Sequence, residues 1–440
     1  MSLSTLFPCK MIRRSLRLET RDAIEFRKKI QQGPLGYLEV LPLELKFELF
    51  SYLSINDLSK LTITSKSVRN VVEIYRCSKS AKQIRIDVGP HKQRTKEEHE
   101  EYLQYYSRLG LLLKRSSCLY ATKERLRMTE QCMFQHMCMV SKSCCDPDHC
   151  NSLVYFGMFL KVIISGWDDM ECHRAYVMLA NSVHTNVMRY LSLIVKSKPG
   201  LYSTLEMHVR LFLRRVFLDP YERIDDRGMW LNKILSGWPM VHQAKILYLL
   251  YGPANGGEIQ WEEMCENTAA NHHQLYGCFG ELGSAFQILY FTREWTDDNI
   301  ISVFDEITCI PDEWLAENIA SLLFTSSYDI TFKVLASKAV NGRLQDIATA
   351  VTSLCLVYTK INKGVSQIIT LIKQICKVLE TLAERESFLN EIVHAFKAVV
   401  MDLYEFDNPD EDRANDMTFM LNAQAEFMKE LINLSLLSRD

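Results

Sequence analysis

The sequence predicts an all-α protein in which a small N-terminal helical unit precedes a large helical domain. After residue 102, apolar residues recur at three- and four-residue intervals through most of the chain, which is the spacing of one face of an α-helix. Glycine and proline are scarce inside these stretches, and none sustains the period-two alternation of a half-buried strand. Because the connections between the helices are short, we expect an α-solenoid-like fold or an irregular helical bundle.

Composition shifts divide the chain into four segments. Residues 1–36 are rich in Lys and Arg and end in a turn-rich stretch, so we expect a poorly ordered basic arm. Residues 37–78 carry short helices, and residues 79–101 form a polar linker with a short strand at residues 83–88. Residues 102–440 then form the large helical domain.

The first short helix is predicted to begin at Pro42, because proline is tolerated at the first helical position. At about 100° per residue its apolar side chains fall on two stripes that lie roughly opposite each other. One stripe comprises Leu45, Leu49 and Tyr52, and the other comprises Leu43, Phe47 and Phe50. This helix therefore has two apolar faces.

Two further short helices follow the first. We predict Asn56 as the N-cap of the second helix and Ser65 as the N-cap of the third. Three short helices form a core too small to cover both faces of the first one. One apolar face is therefore available to a partner protein, unless the helices belong to the core of the large domain.

The residues of this unit resemble the F-box family. The likeness rests on Leu-Pro-x-Glu-Leu at residues 41–45, Tyr-Leu-Ser at 52–54, Asp-Leu at 57–58 and Ser-Lys at 65–66, whereas Thr64 and Ser65 replace the Val and Cys of many members. The resemblance implies docking on the Skp-family adaptor of a cullin–RING ubiquitin ligase. It assigns adaptor-facing or adjacent core positions to Leu41, Pro42, Leu45, Leu49, Leu53, Leu58 and Leu61.

Later blocks, including Gly166-Trp167-Asp168 and residues 336–343, resemble a vertebrate member of the F-box-only class. That class lacks WD40 and leucine-rich repeats, and its name specifies no substrate. The resemblance implies a non-catalytic receptor subunit whose helical domain binds a target protein. The alternative is an F-box scaffold that binds the adaptor and a partner without causing degradation.

Several local features of the helical domain are predictable. Thr296 should cap one helix, and Pro311 should open another that carries Trp314 and Leu315. Two further sets of residues could have a functional role, but a structural interpretation is simpler for each. The set Gly277, Gly280 and Gly283 is interpreted as a flexible surface segment, and the set Arg210, Arg214 and Arg215 as a solvated or basic helix face.

A cluster of cysteine and histidine between residues 132 and 150 raises the possibility of a zinc site. Zinc prefers four Cys or His ligands, usually including a closely spaced pair. No C-x-x-C pair occurs in this cluster, and the candidates with workable spacing are Cys144, Cys145, His149 and Cys150. We expect buried thiols and no cofactor there, with a zinc-binding protein as the less favoured alternative.

Other function classes find little support in the sequence. No phosphate-binding loop, dinucleotide fingerprint, nucleophile elbow or zinc-protease motif occurs. A net charge of −3 provides no basic field for nucleic acid. The most apolar run, residues 153–164, is shorter than the ~20 residues that span a bilayer. Fourteen cysteines without a signal peptide indicate reduced thiols in the nucleus or cytoplasm.

Overall fold

The computed structural model describes residues 21, 23–25, 27–28, 33–84, 95–136, 150–183, 185–268, 273–292, 294–404 and 418–430. The described residues form two compact units, the first ending at residue 175 and the second beginning at residue 176. Helices make up nearly all of the regular structure in both units, so the predicted all-α class is confirmed. Within the described ranges, no helix is long and apolar enough to cross a lipid bilayer.

In the first unit, residues 21, 23–25 and 27–28 are helical, and 3₁₀ turns follow at Gly36–Val40 and Lys82–Ile84. The other α-helices of this unit are α1 (Leu43–Ser51), α2 (Ile55–Leu61), α3 (Lys66–Cys77), α4 (Lys96–Ser116), α5 (Thr122–His136) and α6 (Ser152–Ile164). The residues of α7 (Asp169–Ala180) fall to both units. Helix α4 packs along α6 and also contacts α2 and α3, so the short helices share a core with a long one.

Three sequence-based predictions in this unit need correction. Helix α1 begins at Leu43, and Pro42 is its N-cap with an extended ψ of 157°. Helix α2 is capped by Ser54 rather than Asn56, because the Ser54 hydroxyl accepts a hydrogen bond from the amide of Asp57. The strand predicted from Gln83 is wrong for its first two residues, which are in the 3₁₀ turn, and residues 85–88 lie outside the described ranges. The cap at Ser65 is confirmed.

The second unit continues the helical chain. It contains α8 (Val187–Lys196), α9 (Ser203–Leu213), a π-helical segment (Arg214–Leu218), α10 (Ile224–Leu235), α11 (Met240–Tyr251), α12 (Glu263–Glu266), α13 (His273–Phe291), α14 (Asp297–Ile307), α15 (Ala316–Ser326), α16 (Tyr328–Val340), α17 (Leu344–Lys360), α18 (Ser366–Val378) and α19 (Leu382–Tyr404). Residues 418–430 are also helical. A two-residue hairpin pairs β1 (Ala254–Asn255) with β2 (Glu258–Ile259) in antiparallel fashion.

The helices from α13 onward alternate between two layers. Helix α13 packs on α15, α15 on α17 and α17 on α19, while α14 packs on α16 and α16 on α18. Each helix thus contacts the helix two places further along the chain, which is the packing of a solenoid built from helix pairs. The predicted α-solenoid-like architecture is therefore confirmed for this part of the second unit.

The glycines at 277, 280 and 283 lie in a regular helix rather than a flexible segment, although Gly277 and Gly280 are at the surface as predicted. All three lie within helix α13. At Gly283 helix α13 lies close to α15, since a Cβ added there would lie 2.5 Å from Oγ1 of Thr325. A Cβ on Gly277 or Gly280 would meet nothing within 4 Å. Close packing therefore requires glycine at position 283, whereas the structure gives no reason for glycine at positions 277 and 280.

The predicted arginine face is also wrong, because Arg210 and Arg214 point inward. One nitrogen of Arg210 donates to the carbonyls of Leu249 and Gly252, at 3.1 and 2.7 Å, where α11 ends. Burial, followed by the charge of Arg214, lowers the pKa of Arg210 to about 10. Arg214 forms a two-bonded ion pair with Glu281, with both distances 2.8 Å. These cations satisfy helix-end carbonyls and a carboxylate within the unit.

The prediction at Pro311 is only partly right. The cap at Thr296 is confirmed, but the next helix begins at Ala316, so Trp314 and Leu315 precede it. Trp314 is buried there and donates from its ring nitrogen to the carbonyl of Ile310 at 2.9 Å. The sequence signals placed an apolar segment correctly but began its helix too early.

Candidate functional site

The candidate site is the exposed side of helix α1. The sequence predicts two apolar stripes on this helix. The stripe facing the core ends in Phe50, which is buried and packs edge-on against Tyr75 of α3 with 5.6 Å between ring centroids. Phe47 contacts the same ring at 5.5 Å. Leu43, the first residue of that stripe, remains exposed. The core-facing side of α1 therefore packs against the ring of Tyr75.

The opposite stripe faces solvent. The exposed fractions of Leu45, Leu49 and Tyr52 are 45%, 47% and 80%. These side chains are spaced by four and three residues, so they lie on one side of α1. A continuous row of large apolar side chains on a short helix is unusual on a solvated surface and is typical of a protein-binding face.

The remaining residues that the resemblance assigned to the adaptor side occupy different environments. Pro42 is exposed, and Leu41, Leu53 and Leu61 are half-buried. Leu58 is fully buried in the core between the helices. The seven positions therefore comprise three exposed residues, three half-buried residues and one buried residue, and their role in adaptor docking stays a prediction.

The loop between α1 and α2 is fixed by a local hydrogen-bond network around Asp57. The hydroxyl of Ser54 donates to the Asp57 carboxylate at 2.7 Å, and the Lys60 ammonium lies 3.4 Å from the same carboxylate. The Ser54 bond, and to a smaller extent the lysine, hold the pKa of Asp57 below its ordinary value. The start of α2 thus has a defined geometry next to the exposed stripe.

Gln83 connects the end of α1 to the end of α3. Its side-chain nitrogen donates to the carbonyls of Phe50 at 2.9 Å and Leu53 at 3.4 Å. Its side-chain oxygen accepts a 2.8 Å hydrogen bond from the hydroxyl of Tyr75. Burial raises the pKa of this tyrosine, and the Gln83 bond opposes that rise. A residue that the sequence places in a linker is therefore part of the structure that supports α1.

Helix α4 supports the short helices from another side. Arg115 donates to the hydroxyl of Ser59 in α2 at 3.1 Å. The hydroxyl of Tyr105 donates to the main-chain carbonyl of Gln83 at 3.2 Å. The bonded residues are 56 and 22 positions apart in the sequence, so no local sequence pattern predicts these bonds. The one sequence signal for this site was the helical spacing of Leu45, Leu49 and Tyr52.

The cysteine and histidine candidates can be compared with the structure at one position. Cys144, Cys145 and His149 lie outside the described residues, so their prediction stays untested. Cys150 is buried, and its thiol donates to the hydroxyl of Ser152 at 3.3 Å. Within the described parts of the chain, no group of three or more His, Cys, Asp or Glu side chains is arranged to hold a metal ion.

A three-helix unit with one exposed apolar face, followed by a helical solenoid, is the arrangement expected of an F-box protein with a helical partner domain. A family model described as "FBXO47, ARM repeats" matches residues 183–439. The human F-box only protein 47 is 35% identical over 448 aligned residues, covering 98% of this chain and 97% of its own. The mouse F-box only protein 47 is 38% identical over 414 residues, covering 91% and 90%.

These relatives and the family model agree on one assignment. The chain belongs to the F-box only protein 47 family. No solved structure matches the chain.

Proposed function

We propose that this chain is the substrate-recognition subunit of a Skp–cullin–F-box ubiquitin ligase. Helix α1 docks the Skp-family adaptor, which brings the cullin and RING subunits, and the helical domain binds a target protein. The chain itself supplies no catalytic group and no cofactor, and its contribution is to hold the target near the ubiquitin donor. The nucleus or the cytoplasm is where such a complex would act.

One observation carries the proposal. The exposed stripe Leu45, Leu49 and Tyr52 lies on a helix whose other side is fixed by the Tyr75 ring. Fully burying a leucine side chain is worth about 1.5–3 kcal/mol, and about half of Leu45 and Leu49 is still exposed, so each could contribute roughly 1 kcal/mol on docking. Tyr52 has more surface to bury, which makes it a suitable anchor.

The predicted docking positions fit this proposal in two ways. Pro42, Leu45 and Leu49 would contact the adaptor directly, and the half-buried Leu41, Leu53 and Leu61 would border the contact. Leu58 would act from the core, by holding α2 against α3. Substituting Leu58 should therefore impair folding, whereas substituting Leu45 or Leu49 should impair binding alone.

The test is capture of purified Skp-family adaptor and cullin by the full chain. The variant Leu45→Asp, Leu49→Asp changes two exposed residues four apart on α1 and should abolish capture. The matched control is Leu389→Asp, Val393→Asp on α19, whose two residues have the same spacing and exposed fractions of 37% and 51%. Circular dichroism and thermal unfolding establish that both variants are folded.

The outcomes separate the alternatives. Capture by the wild type and the α19 variant, but not by the α1 variant, supports the proposal for the docking face. Equal capture by all three refutes it. If the adaptor binds and yet no bound protein becomes ubiquitinated in a reconstituted reaction, the scaffold alternative is favoured over the receptor.

A further inference from the structure

A pocket of about 190 Å³ opens among four consecutive helices of the second unit. It lies among α15, α16, α17 and α18, and its lining is mostly aromatic and aliphatic. An apolar cavity of about 150 Å³ is large enough to bind benzene. The pocket can therefore accept one aromatic or large aliphatic side chain, but no drug-sized molecule.

The aromatic walls of the pocket are held in place. Phe324 and Tyr358 meet edge to face, with ring centroids 5.1 Å apart. The hydroxyl of Tyr358 donates to Gln367 at 3.1 Å, and the hydroxyl of Tyr328 donates to Gln374 at 2.8 Å. Each tyrosine oxygen keeps a lone pair that can accept a hydrogen bond from a main-chain amide. The pocket is thus organised before any ligand arrives, which lowers the entropy lost on binding.

The turn that forms the rim carries an unusual backbone. Ser327, the single residue between α15 and α16, has φ 111° and ψ 158°, a region occupied almost exclusively by glycine. Its carbonyl accepts hydrogen bonds from both the amide and the hydroxyl of Thr331, at 3.0 and 2.8 Å. Ser327 and the residue after it, Tyr328, both line the pocket. Strain of this kind is concentrated at binding sites.

Among the described residues that line the pocket, Lys363 is the one with a charged side chain. Its ammonium lies 4.6 Å from the centroid of the Phe324 ring. Its main-chain amide donates to the carbonyl of Tyr358 at 2.8 Å, which fixes the residue just after α17. The side chain is exposed, and within the described ranges no carboxylate forms an ion pair with it. A positive charge therefore lies at the edge of an aromatic pocket.

We propose that this pocket binds a short segment of the target protein in which a large apolar residue is adjacent to an acidic residue. The apolar side chain enters the pocket and packs against the pair formed by Phe324 and Tyr358, and the carboxylate pairs with Lys363. This inference rests on the proposed function, since it identifies where the helical domain contacts its target. It also makes a separate claim about chemistry, which can be tested without the adaptor.

The probes are three blocked peptides titrated against the full chain by ligand-observed NMR. The first is acetyl-Gly-Asp-Phe-Asp-Gly-amide, and the second replaces both aspartates with the isosteric asparagine. The third retains the aspartates and replaces the phenylalanine with alanine. We expect the first peptide to bind about two to five times more tightly than the second, as suits an exposed ion pair, and the third not to bind. The preference should shrink at high salt.

Three variants locate the binding. Lys363→Gln should give the two phenylalanine peptides equal affinity, while Lys373→Gln, at an exposed lysine of α18 outside the pocket, should leave the preference intact. Gln367→Trp places a large side chain at the mouth of the pocket, where the exposed Gln367 lies, and should abolish binding of both phenylalanine peptides. Thermal unfolding verifies that each variant is folded.

Several results would overturn the inference. They are equal binding of the aspartate and asparagine peptides by the wild type, a preference that persists in Lys363→Gln, binding that persists in Gln367→Trp, or no binding at all. The same preparations are tested for adaptor capture, which these variants should not alter. If the wild type shows no peptide preference but captures the adaptor normally, the result counts against the pocket alone. If the wild type shows the preference but fails to capture the adaptor, the result counts against the proposed function alone.

Discussion

Replacing Gln83 with leucine should loosen the docking helix without touching its exposed face. The side chain makes two hydrogen bonds of good length, to the Phe50 carbonyl at 2.9 Å and from the Tyr75 hydroxyl at 2.8 Å. The third bond, to the carbonyl of Leu53 at 3.4 Å, is too long to contribute much. At about 1 kcal/mol net for each good bond, Gln83→Leu should cost the local structure roughly 2 kcal/mol.

Hydrogen exchange measures this cost where it arises. A loss of about 2 kcal/mol corresponds to roughly thirtyfold faster exchange of the amides in α1, if the helix opens as a local unit. The measurement is hydrogen–deuterium exchange with mass spectrometry on peptides covering residues 43–53. The matched control is Gln104→Leu, which makes the same change at an exposed position of α4.

The control should exchange like the wild type in α1. If a folded Gln83→Leu protein also exchanges like the wild type there, Gln83 does not hold α1 in place. Adaptor capture provides a second readout. We expect a weaker complex in proportion to the fraction of time that α1 is open, rather than complete loss as in the substitution of Leu45 and Leu49.

Three further predictions concern the second unit. Gly283→Ala should destabilise by about 1–3 kcal/mol, because its Cβ would lie 2.5 Å from a threonine hydroxyl oxygen, whereas Gly277→Ala in the same helix should stabilise by about 0.5–1 kcal/mol. Ser327→Gly should stabilise by about 1 kcal/mol, because glycine adopts the observed backbone without strain but loses more chain entropy. Burial holds the pKa of His208 below its ordinary value of 6.5, so the unfolded chain takes up a proton first, and stability should fall as pH drops below about 6.5 toward the folded value.

The corresponding measurements are denaturant midpoints for the glycine and serine variants, and a pH series of midpoints for the histidine. A Gly283→Ala protein as stable as Gly277→Ala would contradict the close approach of α13 to α15. A Ser327→Gly protein less stable than the wild type would show that the serine is not strained. For the histidine, the His208→Gln protein should show a shallower loss of stability between pH 7 and pH 5, and an unchanged slope would refute the assignment.

Local patterns predicted what depends on local physics. The helical class follows from apolar spacing, and the caps at Ser65 and Thr296 follow from side chains that reach amides three residues away. The exposed row of Leu45, Leu49 and Tyr52 follows from the same spacing. Each of these predictions concerns atoms separated by only a few residues in the chain, which is the range in which sequence patterns are informative.

Distant partners account for most of what the sequence did not predict. Arg214 looked like a surface charge because its partner, Glu281, is 67 residues away. Gly283 looked like part of a flexible segment because the residue it accommodates, Thr325, belongs to another helix. The pocket beside Lys363 is equally invisible in the sequence, since its walls come from four helices. In each case the pairing depends on which helices become neighbours.

The bonds from helix α4 to the short helices have a practical consequence for isolating the docking module. The Ser59 hydroxyl and the Gln83 carbonyl both receive hydrogen bonds from α4, and α4 in turn packs along α6. A fragment ending at residue 78 would lose these partners together with Gln83 itself. We therefore expect residues 33–175 to be the shortest fragment that folds on its own with the exposed face of α1 intact.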